Sequence, residues 1–354
     1  MSKIDVCVLF GGISPEHEVS LRSAESVLNQ MDPEKYNIYP VGITKEGQWI
    51  LFGGSEYSML PEDKWLEHPE NCDAAISPVR GQGLVIRRKE ASTFVHIDVV
   101  FPVLHGENGE DGAMQGLLQM AGIPFVGPSV AASAVAMDKT LTKLVMDHAG
   151  IPQANWLLVK RNELDADPSA AVAAVEARFS YPVFVKPAGT GSSVGVSKAS
   201  DRESLEKALF YAGKYGDKIL VEEFIHGREI EVAVMGNACP VASVCGEIDS
   251  GAEFYDYDAK YVTDTSVAYI PARLPEETAE QVRDLAVKAY VAMDCKGLSR
   301  VDFFVTYEEG RIVFNEINTL PGFTSISMYP KLFDASGIPY NELIDNLLQL
   351  AMEA

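Results

Sequence analysis

Hydrophobic positions divide the first third of the chain into buried strands and an amphipathic helix. Apolar runs predict strands over Asp5–Phe10, Tyr36–Ile43 and Ile97–Val103, and apolar residues at helical spacing predict a helix over Glu18–Met31. Two glycines join the first strand to this helix. A strand, a glycine turn and a helix in succession are typical of doubly wound α/β sheets, although the turn lacks the G-x-G-x-x-G spacing of a dinucleotide site.

The rest of the chain alternates helices and strands less regularly. The predicted helices are Gly109–Ala121, Ser129–Gly150, Glu276–Met293 and Tyr340–Glu353, and the predicted strands are Tyr181–Pro187 and Ile219–Phe224. Glycine–proline pairs around residues 122–128 close a first domain. The stretch Gly53–Lys89 has weak periodicity, and we interpret it as a surface excursion.

A β-hairpin over Arg300–Asn318 has the clearest chemical pattern. It consists of two runs of β-branched and aromatic residues joined by a Tyr-Glu-Glu-Gly turn. Because side chains alternate between the faces of a strand, Asp302 lies on one face of the first strand, and Phe314, Glu316 and Asn318 share a face of the second.

The pairing of this hairpin brings two acidic residues together. If the turn places Tyr307 opposite Arg311, Asp302 lies opposite Glu316. Like charges across a ladder repel, so we expect a positive group between them. Oxygen ligands favour Mg²⁺ over zinc or copper. The alternative is a solvated polar face on an edge hairpin.

Two polar stretches of the first domain leave their role open. Glu16, His17 and Glu18 lie at the start of the first helix, where carboxylates also stabilise the helix dipole without any ligand. His105 belongs to a glycine-rich loop, Leu104–Gly112, at the end of a strand, where ligands of α/β sheets collect. It is either a substrate contact or a loop residue bonded to the backbone.

Three later stretches are candidates for a nucleotide site. The loop Ala188–Val196 follows Lys186 and has the small residues that wrap phosphate oxygens, although its lysine precedes the glycines, unlike a P-loop; a hairpin tip without a ligand is the alternative. Glu222 ends a strand, where a carboxylate and a backbone edge can hold an adenine, or it is a surface glutamate. The aromatic, charged stretch Phe254–Tyr261 is long enough to fold over a site.

Composition and net charge limit the kinds of molecule that this protein is expected to bind. The 354 residues allow two or three domains, and the net charge of −22 argues against nucleic acid and anionic membranes. The five cysteines form no C-x-x-C pair, so neither a disulfide framework nor a zinc site is indicated. The apolar N-terminal run is too short for a signal peptide and no stretch approaches 18 apolar residues, so we expect a cytoplasmic protein.

Taken together, these stretches resemble the ATP-grasp enzymes and, within them, the D-alanine:D-alanine ligase family. The similarity covers nearly the whole chain and follows the order of the family's motifs, which are GGISPEHEVS, HGENGEDG, MDK, FVKPAGTGSSVGV, EEFIHGREIEV, FYDYDAKY, SRVDFF and NEINTLPGFTSISMYP. It implies an α/β ATP-grasp fold with a doubly wound parallel-sheet domain at residues 1–130 and two α+β lobes at 131–225 and 226–354, between which ATP is bound.

The resemblance also implies roles for individual residues around ATP and two Mg²⁺ (or Mn²⁺) ions, with K⁺ left open as a further cation. Lys139 and Lys186 would bind the phosphates, and Glu222 and Glu229 the adenine and ribose. Asp302, Glu316 and Asn318 would hold the metal ions. The other implied nucleotide contacts are Ser192, Ser193, Phe224, the Ile225 backbone, Phe304, Phe314 and Asn315.

For the substrates, the resemblance implies that Glu16 anchors the ammonium of the first D-alanine and that His105 lies by its carboxylate. Arg300 and the Gly322 N–H would form an oxyanion hole. The second D-alanine would meet Ser327 and Lys260, with Met328 as an apolar wall, and Ser192 and Tyr261 would bond with Glu16 to close both loops.

The reaction implied by the resemblance is ATP-dependent synthesis of D-alanyl-D-alanine, through a D-alanyl phosphate, for peptidoglycan precursors. A D-serine or D-lactate ligase of the same family is the nearest alternative, and Tyr261 and Met328 favour D-alanine. A nucleotide-binding protein without catalysis is the alternative from another class. The family also implies a homodimer through the N-terminal domain.

Overall fold

The computed structural model describes residues 3–88, 91–191, 193–249 and 267–353. In these ranges the chain forms three β-sheets with helices packed on them, which confirms the expected α/β class. None of the helices in these ranges has the length and apolar character needed to cross a membrane.

The first sheet has seven strands in the order β6-β5-β4-β3-β2-β1-β7. They are β1 (Ile4–Gly11), β2 (Tyr36–Ile43), β3 (Trp49–Leu51), β4 (Cys72–Ile76), β5 (Leu84–Arg88), β6 (Ala91–Val95) and β7 (Val99–Leu104). β1 pairs in parallel with β2 and β7, whereas β3 to β6 are antiparallel, so the sheet is mixed. The helices α1 (His17–Gln30) and α2 (Ala113–Ala121) connect to its parallel half.

The interpretation of Gly53–Lys89 as a surface excursion was wrong. This stretch supplies β4 and β5, and Trp65 within it is fully buried against Phe10, with ring centroids 5.1 Å apart. Antiparallel strands with one solvated face have only every second residue apolar, so short ones give weak periodicity. The tryptophan was the residue that indicated a core.

The second sheet is antiparallel, in the order β10-β9-β11-β8. Its strands are β8 (Trp156–Lys160), β9 (Val183–Pro187), β10 (Ser197–Ala199) and β11 (Lys218–Glu223), and the helices α5 (Arg161–Ala166), α6 (Pro168–Glu176) and α7 (Arg202–Ala212) share its core.

The helix predicted over Ser129–Gly150 is two helices, α3 (Val130–Met137) and α4 (Lys139–Ala149). Asp138 between them has extended backbone angles, and its carboxylate accepts hydrogen bonds from the backbone N–H groups of Thr140 and Leu141. An aspartate N-cap of this kind starts a new helix.

The third sheet is also antiparallel, in the order β14-β13-β12-β15-β16. Its strands are β12 (Gly227–Gly236), β13 (Val241–Asp249), β14 (Val267–Tyr269), β15 (Gly297–Thr306) and β16 (Ile312–Asn318). The helix α8 (Glu276–Ala292) lies between β14 and β15 in the chain, and α9 (Met328–Ala335) and α10 (Tyr340–Glu353) follow β16. One hydrophobic cluster runs from α1 and the first sheet to α9 and α10, so the two ends of the chain share a core.

Candidate active site

A cavity of about 920 Å³ lies between the second and third sheets. This volume is typical of small-molecule and cofactor sites. The predicted nucleotide and metal residues that line it are Lys139, Lys186, Ser193, Glu222, Phe224, Ile225, Glu229, Phe304, Phe314, Asn315, Glu316 and Asn318. Residues from separate motifs therefore line the same cavity. The motifs alone did not show that they are close together in space.

The most polar wall of the cavity is built on Glu222. Its two carboxylate oxygens pair separately with Lys143, at 2.5 Å, and with Lys186, at 2.8 Å. Burial opposes ionisation of this carboxyl, but the two ammonium groups outweigh it and lower the pKa of Glu222 to about 2. The same pairing raises the pKa of Lys186 despite its burial.

Lys143 was missed by the sequence analysis. It lies four residues after Lys139 on α4, so both lysines project from the same helix face toward the cavity. That spacing was the available indication. Lys143 is nearly fully buried, so it adds a positive charge that is shielded from solvent.

The glycine-rich loop after β9 approaches the cavity from the second sheet. The Lys139 ammonium donates to the backbone carbonyl of Thr190 at 2.6 Å, which ties α4 to this loop. A methyl group added at Gly191 would lie 3.3 Å from Oε2 of Glu16, so the loop also reaches the start of α1. Ser192 lies outside the described residues.

Aromatic side chains form the apolar side of the cavity. The rings of Phe184 and Phe224 are 6.0 Å apart, and the Lys198 ammonium lies 4.6 Å above the Phe224 ring. An aromatic face flanked by a cation suits a flat, electron-rich ring system.

The hairpin over Arg300–Asn318 has the expected pairing of its acidic residues, but its turn has a different register from the one assumed. Asp302 does lie opposite Glu316, but the turn places Thr306 opposite Arg311, because the register shifts by one residue next to Asp302. This β-bulge leaves Asn315 as the extra residue.

The bulge corrects the predicted faces of the second strand. Phe314 pairs with Phe303 and packs edge-to-face with it in the core while bordering the cavity, and Glu316 pairs with Asp302 on the opposite face of the hairpin. The expectation that Phe314 shares a face with Glu316 and Asn318 was therefore wrong, because strict alternation fails across a bulge.

Arg300 supplies positive charge among the acidic residues. Its guanidinium donates to both oxygens of Asp302, at 2.8 and 2.7 Å, and lies 3.2 Å from Glu231 on the neighbouring strand. Asn318 also donates to Asp302, at 2.9 Å. This half-buried arginine has a pKa well above its ordinary value, since the carboxylates outweigh desolvation. Arg300 therefore supplies the positive charge beside Asp302 without a metal ion.

The donor set nevertheless suits a hard cation that arrives with a nucleotide. Asp302, Glu316 and Asn318 offer two carboxylates and an amide at the end of the hairpin. Across the ranges that the structure describes, no three His, Cys, Asp or Glu side chains converge to hold a metal by themselves. Mg²⁺ is commonly bound by one or two carboxylates together with substrate phosphates and water, so these residues fit it.

Glu16, His105 and Glu110 form a second polar cluster, which lies near Gly191 of the glycine-rich loop after β9. Glu110 lines the cavity and accepts a hydrogen bond from the Gly106 N–H at 2.8 Å. Burial, and then the charge of Glu16, raise the pKa of Glu110 to about 8. Glu110 is a second residue that the sequence analysis did not single out, although it lies in the motif HGENGEDG.

Both ring nitrogens of His105 have protein partners. Nδ1 is 3.0 Å from the Leu320 carbonyl oxygen, and Nε2 is 3.3 Å from the Ser23 hydroxyl. Burial lowers the pKa of this histidine. The backbone and a serine therefore hold this ring, and a contact with the substrate carboxylate stays a prediction.

The predicted residues for the second substrate are only partly described. Gly322 and Ser327 are close, since a methyl group added at Gly322 would lie 3.0 Å from the Ser327 hydroxyl. Met328 does not line the cavity; it is buried, and its methyl group packs over Gly246 of β13. Lys260 and Tyr261, with the rest of Phe254–Tyr261, lie outside the described residues.

Comparisons with known proteins cover nearly the whole chain. Residues 5–128 match the family described as D-ala D-ala ligase N-terminus, and residues 145–349 match D-ala D-ala ligase C-terminus. A D-alanine–D-alanine ligase from Caldicellulosiruptor bescii is 51% identical over 354 residues, covering 100% of this chain and 96% of the relative. One from Acetivibrio thermocellus is 52% identical over 360 residues, covering 98% and 96%.

Solved structures agree in fold. The VanG D-Ala:D-Ser ligase from Enterococcus faecalis has a TM-score of 0.90 at 37% identity, covering 99% of this chain and 100% of that one. The D-alanine–D-alanine ligase from Coxiella burnetii has a TM-score of 0.86 at 34% identity, covering 100% and 95%.

Proposed function

This chain belongs to the D-alanine–D-alanine ligase family, and on that premise we propose that it joins two D-alanine molecules to D-alanyl-D-alanine with the conversion of ATP to ADP and phosphate. The supporting observation is the cavity between the two antiparallel sheets, with lysines at one wall and the acidic hairpin at the other.

ATP occupies this cavity in the proposal. Its phosphates meet Lys139 and Lys186, with Lys143 behind them. Glu222 and Glu229 are assigned to the adenine and ribose and the Ile225 backbone to the purine edge. Ser192, Ser193, Phe224, Phe304, Phe314 and Asn315 complete the surroundings.

Asp302, Glu316 and Asn318 are assigned to two Mg²⁺ (or Mn²⁺) ions. Bound there, divalent cations supply positive charge against the phosphate oxygens. The lysines of the opposite wall act on the same phosphates, so the chain itself contributes part of that neutralisation.

The chain holds the first D-alanine by its ammonium at Glu16. The substrate carboxylate attacks the γ-phosphorus, the bond to the β-phosphate oxygen breaks, and ADP leaves a D-alanyl phosphate. Water would destroy this acyl phosphate, so closure of the glycine-rich and aromatic loops through Ser192 and Tyr261 protects it.

The second D-alanine binds through its carboxylate to Ser327 and Lys260, and its amine, after losing a proton, attacks the acyl carbon. Arg300 and the Gly322 N–H stabilise the oxyanion, and phosphate departs. Removing one such donor typically raises the barrier by roughly 3 to 4 kcal/mol.

D-serine at the second subsite is the second candidate, favoured by the fold similarity to the VanG D-Ala:D-Ser ligase. The greater identity to D-alanine–D-alanine ligases supports D-alanine instead. We further propose a cytoplasmic homodimer that supplies peptidoglycan precursors.

The test measures phosphate release from ATP and Mg²⁺ with D-alanine, beside D-alanine plus D-serine, D-alanine plus D-lactate, and L-alanine alone, with separation of the products. We expect release that requires D-alanine and yields D-alanyl-D-alanine. A preference for the D-serine product would move the chain to the second candidate. Absence of D-alanine-dependent release from folded, ATP-binding protein would overturn the ligase assignment.

A further inference from the structure

The segment that contains Gly322 is held by side chains distant in sequence. It runs from Leu320 to Phe323, between β16 and α9. Pro321 has no N–H, so this segment has three backbone donors. The Leu320 backbone lies near the Glu110 carboxyl, whose pKa it lowers against the larger effect of burial, and the Phe323 N–H donates to the Ser23 hydroxyl at 3.2 Å.

The remaining donor is the Gly322 N–H. In the part of the chain that the structure describes, no protein group accepts a hydrogen bond from it. Gly322 is half-buried between two buried residues, Pro321 and Phe323, so its N–H, which has no acceptor among the described residues, is a candidate ligand contact.

Phe323 is fixed at both of its backbone groups. Ser23 on α1 accepts from its N–H, and the Tyr340 hydroxyl on α10 donates to its carbonyl. Its ring is buried against Phe101, at 5.7 Å, and against Tyr340, at 5.6 Å. The residue directly after Gly322 is thus anchored from three sides.

Ser23 and His105 form one hydrogen-bonded chain. The Leu320 carbonyl can only accept, so Nδ1 of the neutral His105 ring carries the proton, and Nε2, 3.3 Å from the Ser23 hydroxyl, accepts from it, while the Ser23 oxygen accepts from the Phe323 N–H. The histidine then carries its own proton on Nδ1 and donates it to the Leu320 carbonyl. This chain closes a loop from Leu320 through His105 and Ser23 to Phe323.

The geometry of this loop isolates one peptide. His105 holds the peptide between residues 320 and 321, and Ser23 holds the peptide between 322 and 323. The peptide between them carries the Gly322 N–H. Fixing both neighbours restricts the rotation that would turn this N–H away.

We propose that Ser23, together with His105 and Tyr340, is a positioning residue that aims the Gly322 N–H at the oxyanion of the second chemical step. The proposal rests on the proposed ligase function and adds residues to it. It assigns His105 to the protein backbone rather than to the substrate carboxylate.

The test is the stoichiometry of phosphate released per dipeptide formed, measured for the Ser23→Ala variant with saturating ATP and D-alanine. Because formation of the acyl phosphate does not use the oxyanion hole, we expect dipeptide formation to fall roughly 10- to 100-fold. Phosphate release falls less, because the stranded acyl phosphate is lost to water, so the ratio rises above that of the wild type. A general loss of structure would lower both products equally.

Two further variants complete the experiment. Tyr340→Phe removes the other hydrogen bond to Phe323 without changing the ring, so we expect the same shift in ratio. Ser20→Ala is the matched control, because Ser20 is also buried on α1 but bonds Gly11 and Val103 instead of the segment. We expect its ratio to equal that of the wild type.

The outcomes separate the two proposals. A wild-type chain that makes no dipeptide overturns the proposed function and this inference with it. A wild-type chain that makes dipeptide, with unchanged ratios in both Ser23→Ala and Tyr340→Phe, overturns the positioning role alone. Should Ser23→Ala fail to fold, the ratio of Tyr340→Phe decides.

Discussion

At the scale of single residues, Glu222 organises the charge of the cavity. It is buried, and each of its oxygens faces one buried or half-buried lysine. The arrangement keeps two ammonium groups together in a place where they would otherwise repel. It also raises the pKa of Lys186 above its ordinary value.

Replacing Glu222 by glutamine tests this arrangement. We expect Glu222→Gln to lower the free energy of unfolding by about 3 kcal/mol, because Lys143 and Lys186 lose their counter-charge in a buried site. Urea denaturation at neutral pH measures the change.

Glu223 provides the control for that experiment. It is the next residue of β11 and half-buried, and its two oxygens accept separately from the backbone N–H and the side-chain amide of Asn155, so the single amide oxygen of glutamine keeps one of these hydrogen bonds. Glu223→Gln should cost less than about 1 kcal/mol. Equal losses in the two variants would contradict the role given to Glu222.

At the scale of elements, the hairpin shows what alternation predicts and where it stops. The pairing of Asp302 with Glu316 was expected from sequence, but from a turn register that was wrong by one residue. The bulge at Asn315 was not predicted, because no particular residue type marks the extra residue of a bulge in the sequence. Lys143 was missed for a related reason, since its partner Glu222 is distant in sequence.

The break between α3 and α4 leads to a prediction about helix capping. Asp138→Ala should lower the free energy of unfolding by about 1 to 2 kcal/mol and weaken ATP binding, because α4 loses the cap beside Lys139. Denaturation and nucleotide titration measure the two effects.

Asp138→Asn is the matched variant. It keeps an acceptor for the cap but loses the charge that pairs with Lys218 at 2.6 Å. Since that lysine is about half exposed, we expect a loss below about 1 kcal/mol. A loss as large as that of Asp138→Ala would assign the effect to the ion pair instead.

At the scale of the whole molecule, the motifs predicted the fold class and many of the residues that line the cavity between the second and third sheets. They did not predict how the first domain is joined to the rest. That junction is a hydrophobic core shared by α1, α9 and α10, together with hydrogen bonds from Tyr36 and Lys35 to Asp345. Apolar positions in a sequence indicate which face of a helix or strand is buried, but they do not indicate which other element packs against that face.

The cavity leads to a prediction for the whole fold. Its walls belong to two sheets, which separate when the chain unfolds, so ATP with Mg²⁺ should stabilise the native state. At a concentration 100-fold above Kd, the gain is about 2.7 kcal/mol, which a thermal melt detects as a raised Tm. GTP at the same concentration should raise Tm less, and an absence of any shift with ATP would contradict the assigned site.

The hold on the Gly322 segment has a consequence for recombination between relatives. The segment belongs to the C-terminal part of the chain, whereas Ser23, His105 and Glu110 belong to the N-terminal domain. A chimera that exchanges one part and not the other therefore separates the Gly322 segment from the side chains that hold it. A chimera joined between the N-terminal and C-terminal domains keeps the hold on this segment only if both parents have the same residues at these positions.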